Sequence, residues 1–325
     1  MKIFLSSVGR RGYLVNYFKE ALLGTGQVWG GDNSPYSPAF AYCDRTWLLP
    51  EVSCPAYADK LLEICRKGRV DILIPLIDPE LEVLAQCRDR FEQAGIMVVV
   101  SPPETIEICY DKFLTYQFAK SHKIGTPETV LTVEQALAKL REGVFTWPLA
   151  VKPRRGSASN DITYCQDEIQ LRGAMDSCPQ PMIQQIIEGK EYGCDLFGDR
   201  GCHPVSVYCK RKLAMRAGET DKAVSTNDPA LVEFGRKLLE SMKLFGPVDV
   251  DVMVDADGPK LLEINPRFGG GYPCAHLAGA DFCRKLIDIR NGKKLTPDIG
   301  SCPAGICMLK QDEIIRPDWD GLPEA

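Results

Sequence analysis

The stretch that decides the fold is KLLEINPRFGGGYP, Lys260 to Pro273. Glu263, Asn265 and Arg267 stand two apart, so in an extended strand all three point to one face. Leu262 and Ile264 are expected on the other. A glycine run, Gly269 to Gly271, follows at once. A carboxylate, an amide and a guanidinium on one face of an otherwise apolar strand call for a chemical reason.

Upstream lies GPVDVDVMVDADGPKLLEIN, Gly246 to Asn265. Val248, Val250, Val252 and Val254 alternate with Asp249, Asp251, Met253 and Asp255. Asp257-Gly258 is a hairpin signal, and a three-residue loop centred on Asp257 is one common solution. Facing residues then sum to twice 257, so Asp251 faces Glu263 and Asp249 faces Asn265. Directly opposed carboxylates repel, and something must offset that cost. One solution is a solvated face neutralised by Arg267 or a lysine. The other is a divalent cation on Asp251, Glu263 and Asn265, hard oxygen donors suited to Mg²⁺ or Mn²⁺ bridged to phosphates.

A second charged stretch is LAVKPRRGSASND, Leu149 to Asp161. An apolar strand ends in Lys152, and a Gly/Ser loop with Gly156, Ser157 and Ser159 opens after it. Backbone N–H groups in such loops form anion-binding concavities. Lys112 stands at a helix start. MIQQIIEGKEYGCDL, Met182 to Leu196, gives a strand, a bend at Gly189 and then Glu191. Each of these alone reads as ordinary surface chemistry.

The rest of the chain sets the frame. Its 325 residues suggest two domains or three small ones. A composition of 45% hydrophobic and 26% charged residues is that of a globular protein. A net charge of −5 argues against a general nucleic-acid partner. No apolar run approaches the ~20 residues of a membrane span. The first residues carry too short an apolar core for a signal peptide. Fourteen cysteines without a CxxC pair, beside three histidines, fit reduced thiols in a cytoplasmic protein rather than a zinc site or a disulfide framework.

Strand and helix signals alternate through the first hundred residues: Lys2–Ser7, a helix through Tyr13–Leu22, Val28–Gly31, Tyr57–Lys67, Val70–Pro75, Glu80–Gln93 and Ile96–Val100. Such alternation implies a parallel sheet with helices on both faces. Ser101-Pro102-Pro103 reads as its end. The expected units are 1–105, 106–187 and 188–325, the last strand-rich with a helix at Pro229–Met242.

In order, a lysine, a lysine with a glycine-rich loop, a strand–Gly–x–Glu, an acidic hairpin and Glu-x-Asn-x-Arg resemble the ATP-grasp superfamily, over about Pro103 to Ala280. Within it the pattern is most similar to the carbamoyl phosphate synthase large subunit and its single-module relatives, which carry motifs like IPLIDPEL (Ile74–Leu81) and RAGETDKA (Arg216–Ala223). The resemblance implies an α/β chain, with a Rossmann-like pre-ATP-grasp domain ahead of a two-lobed α+β ATP-grasp domain. It implies ATP and Mg²⁺ or Mn²⁺. Lys112 and Lys152 would bind phosphates under the loop 154–160, with Lys212, or its neighbours Lys210 and Arg211, adding a contact. Gln184, Gln185 and Ile187 would line the adenine, and Glu191 the ribose. Asp251, Glu263 and Asn265 would ligate metal. Arg267, with Lys152, would serve catalysis beside the reacting carboxylate, and Gly269 and Gly270 would make room for it.

The implied activity is ATP-dependent joining of a small-molecule carboxylate to an amine through an acyl phosphate. Asp78 and Glu80 are candidates for binding an amino group, although Asp78-Pro79 also reads as a helix cap. Arg216, with Glu219 and Thr220, is a candidate for the second substrate. Activation of bicarbonate or carbamate is an alternative. A dinucleotide oxidoreductase is another, from Ser7-Val8-Gly9-Arg10-Arg11-Gly12 with Asp32 after the second strand. A silent nucleotide sensor is a third. A homodimer is the base-rate expectation.

Overall fold

The computed structural model describes residues 1–156 and 162–316. The chain opens with β1 (Lys2–Ser6), α1 (Gly12–Leu22), β2 (Gln27–Asp32), β3 (Arg45–Leu48), α2 (Tyr57–Gly68), β4 (Ile72–Pro75), α3 (Asp78–Gln93) and β5 (Met97–Val98). The five strands form one parallel sheet in the order β3-β2-β1-β4-β5. Central strands bury both faces, because alternate residues feed two separate cores. Ile3, Leu5, Ile72 and Ile74 pack with α1, whereas Phe4 and Leu73 pack with α2 and α3. The order reverses between β1 and β4, and ligand crevices of open α/β sheets lie at such a switch point.

Next come α4 (Pro103–Tyr110), α5 (Lys112–Ser121), β6 (Thr129–Val130), α6 (Val133–Arg141), β7 (Leu149–Pro153), β8 (Thr163–Cys165), α7 (Glu168–Ser177) and β9 (Pro181–Gln185). The four strands make a small antiparallel sheet, β6-β9-β7-β8, closed on one side by α6 and α7. Helix α4 lies where the two prolines read as an end. Pro103 occupies its first turn, where a missing N–H costs nothing.

The last part contains β10 (Lys190–Gly198), β11 (Pro204–Arg216), β12 (Glu219–Thr226), α8 (Pro229–Ser241), β13 (Gly246–Asp255), β14 (Gly258–Asn265), α9 (Tyr272–Leu277), α10 (Phe282–Arg290) and β15 (Cys307–Leu309). Its sheet runs β14-β13-β10-β11-β12-β15, and each adjacent pair is antiparallel. One face, with Val248, Val250, Val252 and Ile264, packs on α8. On the other face Phe197 and Tyr208, with Phe268 and Phe282, join the core that holds Ile3 and Leu5. The first sheet and the last sheet therefore share one apolar interior.

The acidic hairpin holds its expected register at the acids and differs at its tip. Asp251 pairs with Glu263 and Asp249 with Asn265. The turn, however, has two residues, Ala256 and Asp257, between Asp255 and Gly258, whose φ of +104° suits glycine. A bulge after Asp251 restores the count by leaving Leu262 without a partner. Leu262 consequently does not share a face with Ile264. Leu261 and Ile264 enter the core, and Leu262 lines the cleft beside Glu263.

Asp111 fixes the start of α5. Its carboxylate accepts from the Phe113 and Leu114 amides (2.9 and 3.2 Å) and from Arg154 Nε (3.1 Å). It is 2% exposed, so both roles are played away from solvent. Asp111→Ala should lower unfolding free energy in urea by about 2–3 kcal/mol, from a lost cap and a stranded partner. Asp111→Asn, which keeps the cap, should lose roughly half of that.

Candidate active site

Rows of facing residues across β14, β13, β10 and β11 build one charged face. Asn265, Asp249 and Asp195 form one row; Glu263, Asp251, Gly193 and Lys210 form the next. Lys212 and Glu191 lie one row further, on the same face because side chains repeat every second residue. Gly193 is the gap through which the lysines reach the acids. A Cβ there would lie 3.1 Å from Lys210 Cε and 3.5 Å from Lys212 Cε.

Lysines hold these carboxylates apart. Lys212 Nζ donates to Asp251 (2.6 Å) and Glu191 (2.8 Å). Lys112 Nζ lies 3.1 Å from Glu263 and also donates to the Gly156 carbonyl. Lys210, 1% exposed, donates to Asp195 at 2.6 Å and lies 3.9 Å from Asp249. Burial pushes the Asp251 carboxyl up to about 6; Lys212 opposes the rise, and Asp249 and Glu263 add to it. Burial would raise Asp249 too, but Lys210, Arg267 and Lys212 together hold it below the usual carboxylate range. Among the three candidate phosphate contacts, alternation separates them. Arg211 turns to the opposite, exposed side, Lys210 is sealed into a buried pair, and Lys212 lines a chamber shared with Arg267. Asp195 does not stand out in the chain, and Lys210 does so only as a neighbour of Lys212. The signal that could have found them is their phase, which matches Asp249 and Asp251 once the strands are aligned.

The small sheet closes the other side of a cleft of about 260 Å³. Lys112, Lys152, Gly156, Gln184, Gln185, Ile187 and Glu191 line it, opposite Asp251, Leu262 and Glu263. Burial depresses the Lys152 ammonium to about 8, with Glu263 opposing and Lys112 adding to the fall. Gln184 Nε2 donates to Thr129 Oγ1 at 2.9 Å. The Gln185 N–H is spent on the Glu128 carbonyl (2.9 Å), so that amide is not available to read a ligand's edge. Ile187 lies past the end of β9, outside the ladder. Ser157 and Ser159 lie outside the described residues.

Arg267 ties the two large sheets together. It lies 3.1 Å from Asp78 and 3.5 Å from Asp249. Asp78 is thus not the cap of α3; Ile77 holds that position and no side chain caps it. Burial would weaken the Arg267 charge, but Asp78 and Asp249 hold it firmly protonated. Arg267 Nε and Asp78 Oδ1 are buried without a hydrogen-bond partner among the described residues. A small chamber of about 90 Å³ opens here, lined by Arg267, Gly270, Lys212 and the acids.

Three expectations need correction. Glu80 is fully buried, accepts from the Tyr57 hydroxyl and lies 3.4 Å from the Leu76 amide, and burial raises its carboxyl. It supports the switch point from within and is not presented to a substrate. Arg216 is exposed and tied to Asp221 (3.0 Å) and Asp312 (2.7 Å); with Glu219 and Thr220 it lines a neighbouring cleft of about 430 Å³ rather than the chamber at Arg267. Gly269 and Gly270 are required first by the chain's own packing, although Gly270 still lines the chamber. A Cβ on Gly269 would come within 2.3 Å of the Asp249 carboxyl carbon, and one on Gly270 within 2.8 Å of that of Glu219.

The donor set fits a hard divalent cation. Among the described residues no three carboxylate, imidazole or thiol groups form a metal cage. Two opposed carboxylates and an amide, Asp251, Glu263 and Asn265, suit Mg²⁺ completed by phosphate oxygens and water. Such an ion would take over the neutralising work that Lys112 and Lys212 do here.

Residues 3–99 match the profile of the PylC-like N-terminal domain and residues 109–271 that of the ATP-grasp domain. A D-alanine–D-alanine ligase of Petrotoga mobilis is 30% identical over 220 residues, covering 61% of this chain and 72% of that enzyme. The vancomycin B-type resistance protein VanB of Enterococcus faecalis is 27% identical over 135 residues, covering 40% of this chain. That match spans 39% of VanB's own length, so the chain corresponds to about two fifths of it. The biotin carboxylase domain of Hydrogenobacter thermophilus 2-oxoglutarate carboxylase superposes with a TM-score of 0.73 at 16% identity, covering 93% of this chain and 72% of that one. At that identity the likeness is one of fold.

The Lys152 shift has a measurable sign. Its value is depressed in the folded chain, so between about pH 8 and 10.5 the unfolded chain holds more protons and stability rises with pH. Binding of inorganic tripolyphosphate, followed by calorimetry, should weaken as pH rises from 7 to 9 and Lys152 discharges. Lys152→Arg should flatten that dependence, because arginine stays charged.

Proposed function

The chain belongs to the ATP-grasp family, and on that premise we propose that it uses ATP to join a small-molecule carboxylate to an amine. The observation that carries this reading is the pairing of Asp251 with Glu263 on one wall of a cleft that Lys112 and Lys152 also line, with Lys212 bonded to Asp251 from the adjoining chamber. Few arrangements other than a polyphosphate with its cation use both signs of charge at such density.

Bound ATP lies with its adenine between the small sheet and Leu262. Gln184, whose Nε2 is engaged by Thr129, offers its oxygen to the adenine amino group, and Ile187 offers its main chain. Glu191 holds the ribose hydroxyls once Lys212 turns to the phosphates. Lys112 and Lys152, with the loop after Arg154, hold the β and γ phosphates. Asp251, Glu263 and Asn265 would hold Mg²⁺, which would supply neutralisation of charge on the terminal phosphates. The acceptor carboxylate lies against Arg267. One of its oxygens attacks the γ phosphorus, the bond to ADP breaks, and an acyl phosphate forms. The amine then attacks the acyl carbon, phosphate leaves with the electron pair, and the amine gives up a proton. Arg267 stabilises the oxyanion of that adduct, a contribution worth ~3 kcal/mol of barrier for one such donor. Closure of the small sheet excludes water that would hydrolyse the intermediate.

The dinucleotide reading fits the structure poorly. Asp32, which would have to hold a ribose, accepts from the Gly9 amide (2.8 Å) and the Ser34 amide (3.1 Å). Activation of bicarbonate alone would suit the 90 Å³ chamber but leaves the larger space beyond it without a use. The metal and lysine positions are filled with chemically competent groups, which favours an enzyme over a sensor. The described residues contain no helix long and apolar enough to cross a membrane. We place the protein in the cytoplasm, where its thiols stay reduced, acting as a homodimer.

Glu263→Gln removes one charge with little change of shape. It should cut Mg²⁺-dependent ADP release by ~10²-fold or more, read with pooled carboxylates and amines, while the circular dichroism spectrum stays unchanged. Equal turnover by the variant and the parent would remove the basis of the proposal.

A further inference from the structure

The loop between β1 and α1 carries Arg10 and Arg11 directly ahead of a helix, where the positive end of the peptide dipoles disfavours cations. Arg11 stands at the N-cap position itself, no side chain caps the helix, and its first turn holds no acid. Two guanidinium groups at such a place call for an anion.

Arg11 lines the chamber with Arg267, while Arg10, Gly12 and Tyr13 line the neighbouring cleft; the two spaces share Glu219 and Thr220. The Arg11 side chain is 14% exposed. Its one ion pair among the described residues, with Glu219 at 3.6 Å, is too long for a hydrogen bond. Its Nε is buried with no hydrogen-bond partner among them. The Tyr13 hydroxyl, within electrostatic reach of Arg11 and Arg267, is buried and equally unpartnered. Burial keeps it protonated, so it is a second free donor. Of the seven buried side-chain polar atoms without a partner among the described residues, Arg11 Nε, Tyr13 Oη and Arg267 Nε gather around this chamber. A buried donor without an acceptor costs free energy, and three in one place share one remedy, acceptor oxygens brought by a ligand.

Glu219 does not meet the need. Its carboxylate accepts from Lys310 at 3.2 Å. Burial would raise its carboxyl, but Arg11, Lys310 and Arg10 together hold it below the usual range, so one acid answers three cations. The other charges of the cleft are spent elsewhere: Arg216 on Asp221 and Asp312, and Glu313 on the Tyr42 hydroxyl. The corner made by Arg10, Arg11 and Lys310 therefore keeps a positive excess.

We propose that this corner binds a second anionic group, a carboxylate or a phosphate, on the same small molecule whose carboxylate lies against Arg267, so that the acid to be activated is doubly charged. The inference rests on the ligase reading. Arg11 and the Tyr13 hydroxyl donate to that group, and Arg10 adds charge from the side of the cleft. Because Arg11 and Arg267 line one chamber of about 90 Å³, the two anionic groups stand only a few bonds apart. The corner selects the acid and takes no part in the phosphoryl step.

Calorimetry on the full chain, saturated with Mg²⁺ and a non-hydrolysable ATP analogue, tests this. The probes are malonate, succinate and glutarate, each beside its monoamide, which has the same shape and one charge fewer, together with 3-phosphonopropionate. At least one dianion should bind about tenfold or more tightly than the matching monoamide, as charge-assisted hydrogen bonds require. Preference for a dicarboxylate over 3-phosphonopropionate identifies the second group as a carboxylate, and the reverse preference as a phosphate. Arg11→Met should erase the difference between acid and amide. Arg11→Lys, which keeps the charge and loses the fork, should keep part of it. Tyr13→Phe should weaken dianion binding without lowering the thermal midpoint. Equal binding of acid and amide, a difference that survives Arg11→Met, or no binding of any dianion to the analogue-loaded chain would overturn the proposal. Failure of the analogue itself to bind would instead strike the ligase reading.

Discussion

Like charges facing one another across a β-sheet need a partner, and the rest of this site follows from how that need is met. Asp249, Asp251, Asp195 and Glu263 crowd onto one face of neighbouring strands. Coulomb repulsion between buried carboxylates is too large to leave unbalanced. Lys210 and Lys212 cross the gap at Gly193 to supply positive charge from one side; Lys112 and Arg267 supply it from elsewhere in the chain. Lys112 lines the cleft and Lys212 the chamber beside it, whereas Lys210 lines neither. That difference separates a structural pair from groups free to exchange one partner for another.

Arg267 carries the same logic between layers. Its guanidinium joins Asp249 of the antiparallel sheet to Asp78 at the switch point of the parallel sheet. The shared apolar core beneath, from Ile3 to Phe282, keeps the two sheets in fixed relation. The chamber at Arg267 is therefore formed between two units that neither could enclose alone. Glu80 and Tyr57 brace the switch point from inside, which explains a carboxylate that looks functional in the chain yet never reaches the surface of the site.

Much of the architecture was legible because its signals are local. Alternation of apolar residues marks the strands, helical spacing marks α1 to α3, and the order of charged motifs marks the family. The registers Asp251–Glu263 and Asp249–Asn265 follow from the hairpin, although the turn reached them by a different route, with a bulge at Leu262 compensating a shorter loop. Helix α4 was hidden because proline breaks a helix in its interior but not in its first turn. β3, a short strand at the sheet's edge without full burial, gave too weak a pattern to read.

What the sequence determined by itself is chemistry with local reach: which residue types share a strand face, where a lysine ends a strand, and which hairpin opposes its acids. What only the tertiary structure decided is pairing over long separation. Arg267 chooses Asp78 from 189 positions away, and Lys112 meets Glu263 because α5 is capped by Asp111 against the last sheet. Glu80 turns inward, and Arg10 is left without an ion pair among the described residues, for reasons that depend on every neighbour at once. Periodicity fixes the direction of a side chain relative to its own element; only packing between elements fixes what that side chain meets.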